Sequence, residues 1–230
     1  MNAIKVLLLT LCSSIFFAGC ASVETKQQAF PSMYDENIKP LTIVVAPAIN
    51  KTTAADAAEL INVTLTQPIA DNGYYVLPIA IVSEIFSREG VVAGEQLLRA
   101  PMSVFKNNFG ADAVLFITIN EWDKNYAVVA GNVSVGMSYV LLSTENREVL
   151  WSYDASLVVT TSGQSTGFII ADLIRTAIET ATTDYVPIAR QVNGVAVATL
   201  PFGTYHPKDG SDGGSKVVLT SAKERALEDD

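Results

Sequence analysis

After Gly110 the apolar residues of this chain stop recurring every three or four positions and begin to alternate. That change of period calls for helices followed by an antiparallel meander, an α+β arrangement, because a helical stripe and a half-buried strand impose different spacings on the same kind of side chain. Residues 113–122, 127–143 and 148–161 read as three successive strands, the last two joined by the polar turn Thr144-Glu145-Asn146-Arg147. On the 127–143 strand, Val129, Val133, Val135, Met137, Tyr139 and Leu141 fall on one face while Asn132, Ser134 and Ser138 fall on the other.

Upstream of the switch, Leu41-Thr-Ile-Val-Val-Ala-Pro47 is a β-branched run stopped by proline, and Asn50-Lys-Thr-Thr53 supplies turn and cap residues. A helix follows over 54–69, with Ala57, Leu60, Ile61, Val63, Leu65 and Ile69 as its apolar stripe and Asp71-Asn72-Gly73 as its stop. Tyr74-Tyr-Val-Leu-Pro78 is a second strand, and residues 79–86 begin a second helix that breaks near Gly90. Residues 93–109 read as a further amphipathic helix with Leu97, Leu98, Met102, Val104, Phe105 and Phe109 as core candidates. After the meander, Ser165 or Thr166 caps a long helix carrying Phe168, Ile169, Leu173, Ile174, Ala177, Ile178 and Ala181. Pro187 breaks it near Tyr185, leaving a last short turn before Asn193-Gly194. The expectation is a single β-α-β-α-β-β-β-α domain over 41–206, with a mixed sheet and helices packed mainly on one face.

The two ends read differently. A lone positive charge at Lys5, an apolar stretch over 6–17 and small residues before Cys20 follow the plan of a secretory signal. Phe17-Ala18-Gly19-Cys20 resembles the lipobox of bacterial lipoproteins, with Phe17 where most carry leucine. The resemblance implies cleavage of residues 1–19, a diacylglycerol on the Cys20 thiol and a palmitate-type acyl chain on its new amine. Two or more chains anchor a protein stably, at about 0.8 kcal/mol per buried methylene. Ala21, rather than aspartate, resembles the sorting pattern for the outer membrane and implies attachment on its periplasmic face. A signal cut elsewhere and an uncleaved anchor are the other readings of this segment. Residues 20–40, rich in Gln, Ser, Pro and charge, read as a lipidated cysteine and tether, and the acidic stretch 207–230 as a disordered tail.

Composition narrows the function classes. Fifteen basic against twenty-four acidic residues give a net charge of −9, or −10 once Lys5 leaves with the signal, and no basic cluster is present. Nucleic acid is therefore not an expected partner. Of the two cysteines, Cys12 leaves with the signal and Cys20 carries lipid, so no internal disulfide or cysteine-based metal site is available. The sole histidine, His206, excludes histidine-rich zinc sites, and there is no P-loop, EF-hand, nucleotide glycine fingerprint or HExxH. No cofactor is expected.

The element order, with Ile43-Val-Val-Ala-Pro-Ala-Ile-Asn50 at its start and Gly110-Ala-Asp-Ala113 leading into the meander, resembles the N-terminal domain of TolB, the penicillin-binding-protein activator lipoproteins and the curli-secretion-channel lipoproteins. With the lipobox and Leu200-Pro-Phe-Gly-Thr-Tyr-His-Pro207, it is similar to a family of bacterial outer-membrane lipoproteins without established catalytic residues. That resemblance implies a TolB-N-terminal-like fold, no enzymatic activity, and a protein partner in an envelope or secretion assembly, one candidate being a curli-channel-like lipoprotein.

Candidate sites are few. Phe202, Tyr205 and His206 form an aromatic loop that reads either as a partner-binding site or as a rigid strap returning over the sheet. Gly110-Ala111-Asp112 reads as a helix stop entering a strand. Glu121, Asp123, Glu145, Glu148 and Asp154 lie near strand ends, where acids serve solubility and edge protection more often than hydrolysis. An alternative function is an oligomeric channel subunit inserting a hairpin over 127–161, whose alternation also suits a membrane barrel. A regulator of peptidoglycan synthesis is a further alternative.

Overall fold

The computed structural model describes residues 23–91, 93–125, 132–160 and 186–218. Its strands are β1 (Val23–Thr25), β2 (Thr42–Val45), β3 (Ile49–Asn50), β4 (Tyr75–Val76), β5 (Ala113–Asn125), β6 (Asn132–Ser143), β7 (Val149–Thr160) and β8 (Lys216–Val218). Its helices are α1 (Lys26–Ala29), α2 (Ala57–Asp71), α3 (Ile79–Arg88), α4 (Ser103–Phe109) and α5 (Val186–Thr199).

The expected α+β class with a mixed sheet is observed. The main sheet runs β4-β2-β5-β6-β7, with β3 also paired to β5. Its first part is parallel, Ile43 standing opposite both Val76 and Ala113, and its second part is the antiparallel meander β5-β6-β7. Parallel neighbours need a crossover, and α2 lies in the one from β2 to β4. A bulge between Ile119 and Glu121 shifts the register. It keeps Ile119 and Trp122, of opposite parity, in the same core.

Alternation along the strands divides the interior in two. Ile43, Val45, Leu115, Ile117, Met137, Tyr139 and Trp151 point to the face covered by α2 and α5. Val44, Ala46, Val114, Phe116 and Leu142 point to the other, where α3 and α4 bring Val82, Phe86 and Phe105. The Phe105 ring meets Phe86 and Phe116 edge-on at centroid distances of 5.9 and 5.8 Å. The helices are thus shared between both faces, the two longest on one of them.

Several local expectations are corrected. Residues 93–109 are not one helix: a 3₁₀ turn at Gly94–Leu97 and α4 are separated by Pro101, which lacks the N–H a helix needs and disfavours helical backbone at Ala100. Val63 and Leu98, expected in the core, are exposed. Helix α5 runs through Asn193-Gly194 to Thr199 instead of ending there. The long helix expected from Ser165 and the break at Tyr185 lie outside the described residues, as does Cys20.

The largest correction concerns both ends. In place of a tether over 20–40, residues 23–34 form β1, α1 and a 3₁₀ turn at Pro31–Tyr34, and they bury Ala29, Phe30 and Met33 in the main core. In place of the first part of the disordered tail expected over 207–230, the chain over 207–218 turns back and forms β8, while 219–230 lie outside the described residues. This strand pairs antiparallel with β1 in the register Val23 to Val218, and Val217 joins the same core. Burying Phe30 and Met33 contributes about 1.5–3 kcal/mol each, enough to fix a segment whose composition looks like linker.

Candidate functional site

The aromatic loop after α5 closes onto the N-terminal segment in a clasp built from three layers of contact. The first is backbone. Gly203 N–H donates to the Asn72 carbonyl at 2.8 Å and Tyr205 N–H to the Gly73 carbonyl at 3.0 Å. Gly73 has φ +92, which ends α2 and turns the chain toward the loop, and a Cβ there would overlap the His206 backbone. The Asn72 amide donates to the Leu200 and Pro201 carbonyls at 3.2 and 2.9 Å, and the Tyr74 hydroxyl to the Pro201 carbonyl at 2.7 Å. Burial raises the Tyr74 phenol well above its ordinary pKa, with the Asp212 and Asp209 carboxylates adding to the rise.

The second layer is a buried ion pair. Lys26 and Asp212 are 5% and 6% exposed, with Nζ 3.0 Å from the carboxylate and 2.9 Å from the Leu200 carbonyl. The other Asp212 oxygen accepts from the Tyr34 hydroxyl at 3.1 Å, and the Phe202 N–H donates to the first at 3.0 Å. Tyr34 is held far above the ordinary phenol range by burial first and then by the Asp212 charge. Lys39 and Asp209 form a second bridge beside it, and Ser32 donates to Glu148 at the β6–β7 turn. The third layer is aromatic: Phe202 and His206 stack at 3.8 Å, and the Lys26 ammonium lies 5.3 Å from the Phe202 centroid.

Each predicted loop residue therefore has a definite place. Phe202 is half-buried under Lys26. His206 stacks on it and accepts from the Lys208 N–H through Nδ1 at 3.1 Å, so its ring serves the turn. Tyr205 alone is displayed, with 66% of its surface exposed. Lys26, Tyr34, Asn72 and Asp212 were missed. One signal was legible: Thr25-x-x-Gln28 is a capping box, with Gln28 N–H donating to Thr25 Oγ1 and Thr25 N–H to Gln28 Oε1.

The acids do not gather. Glu121 pairs with Gly136 on one side of β6 and Asp154 with Ser138 on the other, two strand spacings across and two residues along, about 12 Å apart. Asp112 is used structurally: it accepts from the Leu41 and Thr42 N–H groups and bonds Lys106 at 2.9 Å. Burial tends to raise its pKa, but these donors and the Lys106 charge outweigh burial and lower it. Among the described residues no group of three or more His, Cys, Asp or Glu side chains could hold a metal ion.

The family described as "Putative lipoprotein GNA1162-like" matches residues 32–204, which span the sheet, all the long helices and the first half of the clasp loop. The chain belongs to this family. A relative from Neisseria meningitidis serogroup B, "Putative lipoprotein NMB1124/NMB1162", is 26% identical over 165 residues, covering 72% of this chain and 76% of that one. The crystal structure of lipoprotein GNA1162 from Neisseria meningitidis superposes with a TM-score of 0.52 at 26% identity, covering 63% of this chain and all of that one. A PelC dodecamer from Paraburkholderia phytofirmans is more distant, with a TM-score of 0.44 at 14% identity over 70% of this chain and 86% of its own. The resemblance to a lipoprotein family read from the sequence is thus correct, and the family is one of lipoproteins.

Proposed function

We propose that the mature chain is a non-enzymatic lipoprotein, held by lipid on Cys20 to the periplasmic face of the outer membrane, that binds a protein partner in an envelope or secretion assembly. The clasp carries this reading. The residues with side chains suited to chemistry, His206, Lys26 and Asp212, are engaged in joining the chain ends, while Tyr205 beside them is held rigidly and displayed. A fixed, exposed tyrosine on a strapped loop has the form of an interface anchor, since it contributes apolar area and a hydroxyl at small entropic cost.

The packing weighs against hairpin insertion. Val135, Met137, Tyr139 and Leu141 of β6 are buried against the helical layer, and the Tyr139 hydroxyl donates to Asn193 of α5 at 2.7 Å. The apolar face that a barrel strand would turn to lipid is occupied there by the protein's own core. Among the described residues no helix is long and apolar enough to cross a membrane.

The experiment is site-specific photo-crosslinking in living cells from position 205, with position 55, in the turn that precedes α2, as comparison. Discrete envelope-protein adducts from position 205 alone support the reading. Adducts from neither position, or identical adducts from both, contradict it.

A further inference from the structure

The clasp changes what the anchor does. Lys26 is locked in the interior by Asp212 and Leu200, and its own N–H donates to the Ser215 carbonyl at 2.8 Å. Five residues lie between it and Cys20, six steps of backbone, so the whole connection spans at most about 20 Å even fully extended, and the part preceding β1 at most about 11 Å. A long leash would let the domain sample the periplasm; this one does not.

The position of the clasp in the fold then sets an orientation. It abuts the C-terminal ends of α2 and α5 through Asn72 and Leu200, the β6–β7 turn through Glu148, and the approach to β2 through Lys39. All of these lie at the end of the sheet where β5 begins at Ala113 opposite Ser143. The opposite end, where Asn125 faces Asn132, is about 40 Å away along a thirteen-residue strand. The N-terminus of α2 is about 22 Å from the clasp.

We infer that the clasp end of the domain lies against the lipid leaflet, with the opposite end of the meander pointing away from it. This rests on Cys20 being the anchor. Lys216, the first residue of β8, and Ser215 before it are exposed, and in this orientation they face the headgroups. The occupant of the clasp-end surface is the lipid surface itself: the anchor, not charge attraction, brings it there, because exposed Lys208 and Lys216 are offset by exposed Asp35 and Glu36, and Lys39 by its bridge to Asp209.

Maturation leaves Cys20 as the sole cysteine, and acylation blocks it, so an introduced cysteine is uniquely labelled. The full lipidated chain, carrying K216C, S215C, A55C or E121C with an attached fluorophore, is reconstituted into phosphatidylethanolamine–phosphatidylglycerol vesicles containing headgroup-nitroxide lipid. Strong loss of fluorescence at positions 215 and 216 with little at 55 and 121 is expected. Inserting twenty Gly/Ser residues between Ser22 and Val23, about 25 Å of additional root-mean-square reach, should relieve the quenching at 215 and 216. Equal quenching at all four positions on vesicle-bound protein, or quenching unaffected by the insert, overturns the orientation. Protein that fails to float with the vesicles overturns the Cys20 anchor instead, so the two failures are distinguishable.

Discussion

Changing Asp212 to Asn tests the clasp at its centre. The carboxylate has three donors, the Lys26 ammonium, the Tyr34 hydroxyl and the Phe202 N–H. Removing its charge leaves Lys26 buried at 5% exposure with the Leu200 carbonyl as its strong acceptor. Breaking a buried pair from one side costs about 3–5 kcal/mol, since the remaining charge has lost its hydration without compensation. The asparagine oxygen can still accept from Phe202 N–H, so D212N belongs near 3 kcal/mol and D212A nearer the upper value. With a urea m-value of about 2 kcal/mol/M, the midpoint for the mature chain in detergent micelles should fall by about 1.5 M for D212N. Replacing both partners with apolar residues, K26M with D212L, should recover most of the loss, because the burial penalty then disappears with the charges. A single change costing under about 1 kcal/mol would place the pair with exposed bridges such as Arg88–Glu84 and refute the reasoning.

Three further outcomes follow from the same geometry. In G203A the new Cβ overlaps the Gly73 carbonyl, so thermal denaturation should show a loss of about 1–3 kcal/mol; Gly194 in α5 has open space around it, and G194A should gain up to about 1 kcal/mol. Because the folded pKa of Asp112 is lowered, its contribution is present above its ordinary value of 3.8 and is lost as pH falls through the folded value. Urea unfolding across acidic pH should therefore show the wild-type advantage over D112N shrinking below that point; an advantage that is flat or grows in acid contradicts the assignment. Tyr34, Tyr74 and Tyr139 have raised pKa values, chiefly from burial, so their contribution is present below the ordinary phenol value and lost as pH rises through the folded ones. Alkaline titration by tyrosinate absorbance should show these three ionising only with unfolding; reversible titration of all eight tyrosines in the folded chain would contradict it.

The meander was legible because side-chain alternation survives any context: Tyr139 and Leu141 face the core and Ser138 does not. The turns at Gly73 and Gly110 were legible for a related reason, both having the positive φ that their position after a helix predicted. What was not legible depended on distance along the chain. Lys26 and Asp212 are 186 residues apart, and nothing in either neighbourhood distinguishes a buried ion pair from two solvated charges. Asn193-Gly194 reads locally as a helix stop. Yet the Asn193 amide donates to the Ile61 carbonyl and Thr64 Oγ1, and its oxygen accepts from Tyr139, so tertiary contacts carry the helix through. The same limit hid the clasp: Phe202, Tyr205 and His206 were picked out by composition, but their division into two supporting rings and one displayed ring depends on the N-terminal segment they meet.

The proposed membrane attachment and orientation both rest on lipidation of Cys20, and the intact mass of the protein isolated from its native envelope tests that residue most directly. The expected mass is that of residues 20–230 with a diacylglycerol and one further acyl chain, and C20A should yield no acylated species and leave the membrane fraction. A wild-type chain that begins at another residue, or that begins at Cys20 without lipid, would contradict the anchor and with it the membrane-apposed clasp.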